Sequence, residues 1–436
     1  MDFFNYKNGE LWCEGVSASA IAEAVGTPAY VYSRATMEHH YRQIESAFAW
    51  AKPCSAKPAT QGGAEPTICY SVKACSNLAV LKLLASMGAG FDVVSGGEIH
   101  RVLKAGGDAS KIVFAGVGKT DAEMEFAAKA GIYLFTVESE PELDALEAVA
   151  RKTAKRLRVA LRVNPGVDPK THVYTSTGKR ESKFGIDIER AASVLARRRA
   201  WPHLDFHGLH AHIGSQIVSA QPFVEALTLL AKFTADQEKA GLRLEVIDIG
   251  GGFGIFYKLR EAPDAEQHAA AIRPILEPLA RSGRRILMEP GRFIAGQAGI
   301  LLARVTFVKD SGDKRFIIVD AAMNDLIRPA LYHAEHQIWP VKAARRPEPA
   351  DEKDLPRADI VGPVCESGDF LARERPFPEV RRGDLLAVFA AGAYGQTMSS
   401  NYNSRMRAPE VLVEGSTFRV VRRRETLDDL TRLETT

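Results

Sequence analysis

The sequence contains few cysteines, and their arrangement excludes two kinds of scaffold. Among its 436 residues only five are cysteine, at positions 13, 54, 69, 75 and 365. An odd number, scattered without the short spacings of zinc ligands, argues against a disulfide framework and against a cysteine-based metal site. The pattern therefore indicates free thiols in a reducing compartment.

The sequence also lacks a strong excess of charge and a long apolar run. Its 57 basic and 54 acidic residues give a net charge of +3, which offers no argument for binding to nucleic acid or to a membrane surface. No stretch reaches the roughly 18 uninterrupted apolar residues of a spanning helix, and the N-terminal sequence MDFFNYKNGE has no signal-peptide pattern. We therefore predict a cytoplasmic protein with no nucleic-acid or membrane partner.

What the sequence does contain, from about residue 67 to 290, is a regular alternation of β-rich runs and amphipathic helical segments. The β-rich runs are 67–72, 91–95, 112–115, 133–137, 157–163, 206–213, 244–249 and 285–289. The helical segments between them are 78–87, 97–105, 121–130, 140–152, 188–198, 221–240 and 265–281, and a further helical segment, 36–50, precedes the first strand. Eight strands in strict alternation with helices are one more than an open doubly wound sheet usually needs. The fold class predicted is therefore α/β, with a closed (β/α)8 TIM-type barrel.

After residue 290 the sequence changes character. Runs such as LLARVTFVKD, FIIVD and LLAVFAAGAY follow one another without helical segments between them, which is typical of a mostly antiparallel β domain. The run AYVYS near the N-terminus could pair into the same domain. We therefore predict a barrel domain over residues 34–290 and a domain resembling a β-sandwich or β-barrel, formed by residues 1–33 and 291–436.

The chemistry of such a barrel is expected where its strands finish, because active sites of this fold lie at the carboxyl ends of the strands. Those positions carry Lys73, Asp92, His212, the glycine run 250–252 and Glu289. A single lysine at a strand end more often extends its aliphatic stem to solvent than serves a function. The shared position with a glycine run, a carboxylate and an imidazole favours a functional amine.

The glycine run in DIGGGFG indicates an anion site. Consecutive glycines after a strand let backbone N–H groups approach a phosphate closely, although a tight turn would have the same sequence. The spacing differs from G-x-G-x-x-G, which argues against a dinucleotide site. The last strands are the usual phosphate position of this fold. The phosphate contacts would come from Ser215, Gly251, Gly252, Gly291 and Arg292.

Two further features extend this site. Glu289 opposite a ring nitrogen would keep that nitrogen protonated, although a salt bridge to Arg292 is an equally simple interpretation. His210 and His212 alternate along one strand and share a face. They could bind a metal, but no third ligand at suitable spacing is evident, and we predict a ring-stacking imidazole and no metal. An amine, an anion cradle, a carboxylate and a flat ring together predict pyridoxal 5'-phosphate.

At this point the sequence resembles a known group, the fold-type III, alanine racemase-like pyridoxal phosphate enzymes, and within them the diaminopimelate decarboxylase family. The resemblance runs in order from about residue 27 to 425. It is carried by YSVKACSN, GFDVVSGGE, VFAGVGKT, LRVNPGVD, SKFGI, HIGSQI, DIGGG, EPGR, DAAMNDLIRPALY, VGPVCESGDFLA and GAYGQTMSSNYNSR. It implies the decarboxylation of meso-2,6-diaminopimelate to L-lysine and CO2, the last step of lysine biosynthesis.

The resemblance implies roles for individual residues around the cofactor. Lys73 would form a Schiff base with the cofactor, His212 would stack on its ring, and Glu289 would pair with its pyridine nitrogen. Asp92 would lie close to Lys73 and the ring. Tyr394 would join the phosphate contacts.

The resemblance also implies a substrate site. Its residues would be Arg292, Arg328, Tyr332, Glu366 and Tyr394. Guanidinium groups suit the distal carboxylate of diaminopimelate and an acid suits its distal ammonium group. Arg328 and Tyr332 could otherwise be a surface pair on one helix.

A further implied role concerns Cys365, which would return a proton to the substrate Cα, although a small core cysteine is the commoner case. In this family the cysteine comes from the neighbouring subunit. The resemblance therefore implies a homodimer with shared active sites.

Three other functions are compatible with parts of this pattern. A fold-type III decarboxylase acting on lysine or ornithine would share the cofactor site but would have little use for both Arg292 and Arg328. A non-catalytic homologue would be expected to lack Lys73 or Cys365, and both are present. An oxidoreductase built on DIGGG would bind nicotinamide and would show no absorbance from bound pyridoxal phosphate.

Overall fold

The structure is a computed structural model that describes residues 2–51, 67–168, 182–257 and 262–435. The chain forms two compact units. The barrel unit comprises Tyr41–Ile255 and Glu261–Arg292, and the β unit comprises Met1–His40, Phe256–Arg260 and Phe293–Thr436. Within the described ranges, no helix has the length and apolar composition needed to cross a membrane.

The β unit begins with a small antiparallel sheet. In chain order its first elements are β1 (Phe4–Lys7), β2 (Glu10–Cys13), β3 (Val16–Ser17), α1 (Ala18–Val25), β4 (Ala29–Ser33) and α2 (Arg34–Ala47). Ser17 caps α1, because its hydroxyl accepts a hydrogen bond from the Ala20 N–H at 3.1 Å. The helix predicted over 36–50 is α2, which begins earlier at Arg34 and ends at Ala47.

The barrel unit contains, among the described residues, a parallel sheet whose strand order follows the chain. Its strands are β5 (Cys69–Ser71), β6 (Gly90–Val93), β7 (Ile112–Phe114), β8 (Leu134–Val137), β9 (Leu157–Asn164), β11 (Leu204–His210), β12 (Val246–Asp248) and β13 (Arg285–Leu287), and the short β10 (Ile186–Asp187) pairs beside β9. The Cys69 N–H donates to the Met288 carbonyl at 2.8 Å, and the Met288 N–H donates to the Thr67 carbonyl at 3.0 Å. These bonds join the first strand to the last, which confirms the predicted (β/α)8 barrel.

Helices alternate with the barrel strands. They are α3 (Leu78–Ser86), α4 (Gly96–Lys104), α5 (Asp121–Ala130), α6 (Glu140–Thr153), α7 (Ile188–Ala196), α8 (Gln221–Lys239) and α9 (Ala265–Arg281). Thr120 and Glu123 form a capping box at α5, and the Ser139 hydroxyl accepts from the Glu142 N–H at α6. Sequence-encoded caps of this kind fix where each helix starts and therefore how long each strand-to-helix loop is.

The interior of the barrel is apolar. Six of the eight main strands contribute to one buried cluster, which consists of Cys69, Val113, Tyr133, Leu134, Ala160, Val246 and Leu287. Burying an apolar side chain of this size contributes about 1.5–3 kcal/mol. A packed interior of this kind holds the strand ends, and the polar side chains on them, in defined positions.

The second part of the β unit is a mixed sheet that is mostly antiparallel. Its elements are α10 (Arg292–Ala295), β14 (Gly299–Ser311), β15 (Lys314–Val319), α11 (Arg328–Tyr332), β16 (Ile338–Pro340), β17 (Arg357–Val361), β18 (Phe370–Pro376), β19 (Leu385–Val388), β20 (Glu410–Glu414), β21 (Thr417–Arg422) and α12 (Leu427–Thr431). The AYVYS run is β4, which pairs antiparallel with β14 and parallel with β20. Strand β14 is long and also pairs with β15 and β19, which makes it the central strand of this sheet.

Candidate active site

Lys73 is held at the mouth of the barrel by a buried carboxylate. Strand β5 ends at Ser71, and Lys73 lies in the short helical turn Val72–Ala74 that follows. Its Nζ lies 2.6 Å from Oδ2 of Asp92, and the Ser71 hydroxyl donates to the same oxygen at 2.5 Å. Asp92 is fully buried, whereas the Lys73 side chain is 34% exposed. The amine is therefore fixed in place and accessible, and it does not simply extend into solvent.

His212 is a neutral ring at the same end of the barrel. Its Nδ1 accepts a hydrogen bond from the Gly251 N–H at 3.0 Å, which assigns the ring proton to Nε2. Burial, and then the nearby Arg162 cation, lower the pKa of His212 well below its ordinary value. The His210 and His212 rings are nearly parallel, with an interplanar angle of 7°. The prediction that they share one face is confirmed.

Glu289 is a buried carboxylate that lies next to His210 and His212. Its Oε1 lies 3.3 Å from His210 Nε2, and its Oε2 lies 3.9 Å from His212 Nδ1. Burial opposes ionisation, but His210 and Lys73 hold the pKa of Glu289 below its ordinary value. Within the described part of the chain, Oε1 has no hydrogen bond of good geometry, and its neighbour is His210 Nε2. A buried, ionised carboxylate beside a flat ring suits a ligand that presents an N–H group.

The glycine run allows three loops to approach one another closely. A Cβ on Gly251 would lie 2.1 Å from the Glu289 carbonyl oxygen, and one on Gly252, whose φ is +102°, would lie 2.2 Å from the Gly214 carbonyl oxygen. No other residue type fits at either position. The sequence DIGGG is therefore required by close packing between the ends of the last barrel strands.

An anion site adjoins these glycines. The buried Arg292 donates from Nη2 to the Ser215 hydroxyl at 2.8 Å. Gly291 packs against Ser71, which places the EPGR loop next to the turn that carries Lys73. A guanidinium, a hydroxyl and glycine backbone N–H groups form the donor set that a phosphate needs.

The remaining predicted residues lie in the β unit, where Arg328 is buried in α11. Its Nη1 lies 2.8 Å from His336 Nε2, and its guanidinium stands over the Tyr257 ring at 4.6 Å. The interpretation of Arg328 and Tyr332 as a surface pair is therefore wrong for Arg328, which is 5% exposed. Tyr394 is half-buried and has a φ of +55°, a conformation that non-glycine residues rarely adopt.

Cys365 and Glu366 lie on the exposed loop between β17 and β18. The Cys365 N–H donates to Asn403 Oδ1 at 3.0 Å, and Glu366 accepts from the Tyr402 hydroxyl at 2.8 Å. The Cys365 thiol is in an exposed residue, in contrast to the buried Cys13, Cys69 and Cys75. The small core cysteine considered from the sequence is therefore excluded for Cys365.

Some residues of this end of the barrel were not found from the sequence. Arg162 donates to Glu138 at 2.8 Å, and Glu138 also accepts from the N–H groups of Gly116 and Gly185. This buried ion pair joins three loops beside His212. Its only signal in the sequence is the position of two charged residues at strand ends.

The polar cluster around His210 also differs from expectation. The alternation of His210 and His212 along one strand allowed a metal pair, but no third ligand was evident from the spacing of residues in the sequence. In the structure His210 instead groups with Asp248 and Glu289. One nitrogen or oxygen atom from each of the three side chains lies within 4.8 Å of the other two. The interval between these residues in sequence is too long for a spacing rule to detect, because three different strands bring them together.

The residues at the mouth of the barrel unit fit pyridoxal phosphate. An accessible amine suits the aldehyde of that cofactor, and an anion cradle suits its phosphate. A neutral ring suits the face of the cofactor ring, and a buried, ionised carboxylate suits the ring nitrogen. The group of residues was predicted from chain positions as distant as Lys73 and Arg292. The barrel topology is what brings them together.

Comparison with known proteins supports the same cofactor. Residues 48–296 match the family "Pyridoxal-dependent decarboxylase, pyridoxal binding domain". Diaminopimelate decarboxylase of Pseudomonas aeruginosa is 48% identical over 99% of this chain and 98% of its own, and that of Vibrio cholerae is 46% identical over 100% and 99%.

The fold comparison agrees. The crystal structure of diaminopimelate decarboxylase from Helicobacter pylori complexed with L-lysine matches with a TM-score of 0.86 and 38% identity, covering 95% of this chain and 98% of that one. Identities of this size over nearly the whole length of both chains establish common family membership. The chain therefore belongs to the diaminopimelate decarboxylase family of pyridoxal-dependent decarboxylases.

Proposed function

We infer that this protein catalyses the pyridoxal phosphate-dependent decarboxylation of meso-2,6-diaminopimelate to L-lysine and CO2, the last step of lysine biosynthesis. The observation that carries this conclusion is the grouping of Lys73, His212 and Glu289 beside the glycine run at one end of the barrel. The relatives that match the whole chain bear the name of this activity. Function in the cytoplasm is part of the proposal.

The family resemblance implies which residues would hold the cofactor. Lys73 would bind it covalently through Nζ, and Glu289 would accept the hydrogen bond of its ring nitrogen. His212 would cover one ring face, and Asp92 would keep Lys73 oriented. The phosphate would be bound by Ser215, Gly251, Gly252, Gly291, Arg292 and Tyr394.

Pyridoxal phosphate, when bound, supplies an electron sink for the electron pair left by the departing carboxylate. The protein makes that sink effective through Glu289, whose low pKa keeps it ionised and therefore able to hold a proton on the ring nitrogen. The neutral His212 ring adds no competing positive charge and shields the ring from water. Asp92 holds the amine of Lys73 in place at the mouth of the barrel, where it would attach the cofactor.

The substrate would be recognised by charge complementarity. Meso-diaminopimelate carries a carboxylate and an ammonium group at its distal end, which lysine and ornithine do not share as a pair. Arg292 and Arg328 would bind carboxylates, Glu366 would bind the distal ammonium group, and Tyr332 and Tyr394 would line the site. The stacking of Arg328 on Tyr257 holds its guanidinium rigidly, which favours a bidentate contact.

A homodimer with shared active sites is the assembly that we propose. Cys365 would deliver the proton to the substrate Cα, as the family resemblance implies. Its exposed position on a loop fixed by Asn403 and Tyr402 suits a group that acts on a neighbouring subunit. Hydrogen bonds at both Cys365 and Glu366 keep that loop ordered.

The proposal is tested by CO2 release from a substrate panel. The purified protein with pyridoxal phosphate should release CO2 from meso-diaminopimelate and form L-lysine, with much slower release from lysine and ornithine. Faster release from lysine or ornithine would assign a different decarboxylase activity. No release from any of the three would contradict the catalytic proposal itself.

A further inference from the structure

Three neighbouring barrel strands end in a buried polar group that the mechanism above uses only in part. His210 is the last residue of β11, Asp248 is the last residue of β12, and the two are paired in the sheet. Glu289 follows β13. All three residues are at most 4% exposed, and one polar side-chain atom of each lies within 4.8 Å of those of the other two. Glu289 contacts the cofactor in our proposal, whereas His210 and Asp248 have no assigned role.

The hydrogen-bonding capacity of this group is incompletely used. Asp248 Oδ1 accepts from the Gly250 N–H at 2.9 Å. Among the described residues, Asp248 Oδ2, Glu289 Oε1 and both ring nitrogens of His210 have no hydrogen bond of good geometry. Buried polar atoms are normally satisfied, since each unsatisfied one costs about 1–3 kcal/mol. Atoms that face one another in this way are suited to share protons.

The arrangement of charged groups indicates which of the buried carboxylates carries a proton. Asp92, Asp248 and Glu289 are three carboxylates buried in one region, and Lys73 neutralises Asp92 through its 2.6 Å contact. Like charges at such short distances in a buried site cannot all be ionised, and the group in the least favourable position takes up a proton. Glu289 lies 3.3 Å from His210 Nε2, and His210 and Lys73 hold its pKa below its ordinary value, so it is the carboxylate that keeps its charge.

We propose that Asp248 is held as a neutral carboxylic acid, and that Asp248 and His210 are positioning residues that leave Glu289 as the one charged carboxylate of the group. Burial, and then the negative charge of Glu289, raise the pKa of Asp248 well above its ordinary value, which agrees with this assignment. His210, through Nε2, orients Oε1 of Glu289. Asp92, the Cys69 thiol and the Tyr133 hydroxyl also face Asp248, and the neutral His212 and the cation Arg162 lie at the same end of the barrel.

The consequence concerns the cofactor. A second ionised carboxylate beside Glu289 would raise the pKa of Glu289, and a protonated Glu289 could not keep a proton on the ring nitrogen. A neutral Asp248 avoids this and also donates a hydrogen bond that stabilises the Glu289 charge. This inference rests on the proposed function, because it assumes that Glu289 faces the cofactor ring.

The direct test is infrared spectroscopy of the holoenzyme at pH 8.5, with aspartate labelled by ¹³C at its carboxyl carbon. We expect a carbonyl band of a protonated carboxylic acid that shifts with the label and disappears in Asp248→Asn. The matched control is Asp325→Asn, which removes another buried aspartate, in the β unit, and should leave the band in place. Absence of the band from the wild type, or its survival in Asp248→Asn, overturns the proposal.

Cofactor affinity provides a second readout that does not depend on turnover. Asp248→Asn replaces a neutral acid with a neutral amide, and the dissociation constant for pyridoxal phosphate should change by no more than about threefold. His210→Leu removes the contact with Glu289 and should weaken binding about tenfold, with a shifted absorbance spectrum. His210→Gln retains an N–H donor and should recover most of that affinity. A tenfold loss in Asp248→Asn would contradict a neutral Asp248.

Two further measurements distinguish failure of the inference about Asp248 from failure of the proposed function. Elemental analysis of the wild type should find no stoichiometric divalent metal, since a metal bound by His210, Asp248 and Glu289 would overturn the shared-proton assignment. CO2 release from meso-diaminopimelate by the wild type tests the proposed function alone. An acid band that depends on Asp248 in a protein without this activity would sustain the protonation of Asp248 and refute the decarboxylase. The reverse result would refute only the inference about Asp248.

Discussion

The amine of Lys73 lies 2.6 Å from a carboxylate oxygen of Asp92, although Lys73 lies in the turn after β5 and Asp92 lies in β6. Their proximity follows from sheet register, since Ser71 at the end of β5 is paired with Asp92 in β6. The contact fixes the amine at the mouth of the barrel. It also explains why a lysine follows a core strand. A lysine that simply extended into solvent would not need a buried carboxylate as its partner.

Replacement of Lys73 by alanine should abolish decarboxylation, with a loss of about a thousandfold or more, because the covalent attachment of the cofactor is lost. Borohydride reduction followed by mass spectrometry of the peptide containing Lys73 should show a cofactor adduct in the wild type and none in Lys73→Ala. Lys104→Ala, which changes an exposed lysine of α4, is the control and should keep both activity and adduct. An adduct on another lysine of the wild type would show that Lys73 is structural.

The shared active site that we propose predicts complementation between two inactive variants. Lys73→Ala and Cys365→Ala should each be inactive or nearly so as homodimers. If Cys365 acts on the neighbouring subunit, a mixed dimer has one site with both residues intact. Unfolding and refolding equal amounts together should then restore about a quarter of wild-type activity, since half of the dimers are mixed and half of their sites are complete.

Two results would contradict this arrangement. Activity that stays at the level of the separate variants, in a preparation shown by mass spectrometry to contain mixed dimers, would place Lys73 and Cys365 of one site in the same chain. A monomeric wild-type protein at assay concentration would refute the homodimer. Refolded wild type serves as the reference for recovery.

Arg328→Lys should weaken substrate binding selectively. Lysine keeps the positive charge but loses the planar fork that binds a carboxylate through two hydrogen bonds. We expect KM for meso-diaminopimelate to rise about tenfold, with a smaller change in kcat and an unchanged affinity for pyridoxal phosphate. The control is Arg382→Lys, an exposed arginine over the Phe307 ring, which should have wild-type KM. Equal KM values in the two variants would remove Arg328 from the substrate site.

His268 of α9 should make the protein sensitive to acid. Its ring packs edge-on against Phe223 and Phe253, and burial lowers the pKa of His268 from 6.5 to about 4. The folded protein therefore binds this proton less tightly than the unfolded chain. The stability that results is fully present above pH 6.5 and is lost as the pH falls through that value towards 4.

Measurement of thermal unfolding at pH 7.5 and pH 5 checks this effect. At pH 5 the wild type should have lost about 2 kcal/mol of unfolding free energy through His268, and His268→Leu should escape that part of the loss. His100→Leu changes an exposed histidine of α4 and should follow the wild-type pH dependence. If the histidine variants respond to acid alike, the buried ring is not the acid-sensitive group.

The barrel and its strand ends were predictable because the signals are local. Alternation of strand and helix patterns, caps such as Thr120 and Ser139, and the run DIGGG are all read from short windows of sequence. The fold then requires that the ends of successive parallel strands share one face. Prediction of Lys73, His212 and Glu289 as neighbours needed only that rule.

Other relationships were not predictable because they depend on contacts between distant strands. The Arg162–Glu138 pair, the stacking of Arg328 on Tyr257 and the grouping of His210 with Asp248 join residues whose separation in sequence carries no information. The metal interpretation of His210 and His212 was incomplete for this reason. Adjacent positions on one strand were visible, but the side chains from β12 and β13 were not.

Sequence alone is enough for the class of this protein, because it contains the order of elements, the residue types at each strand end, and a set of motifs sufficient to indicate the cofactor. Chain order and hydrophobic period are local properties, so they can be read from short windows of residues. Which carboxylates face one another depends on the folded arrangement, because charge and hydrogen bonding in a buried site depend on distances of a few ångströms between strands. Those distances make Asp92 the partner of Lys73 and Glu289 the neighbour of His210.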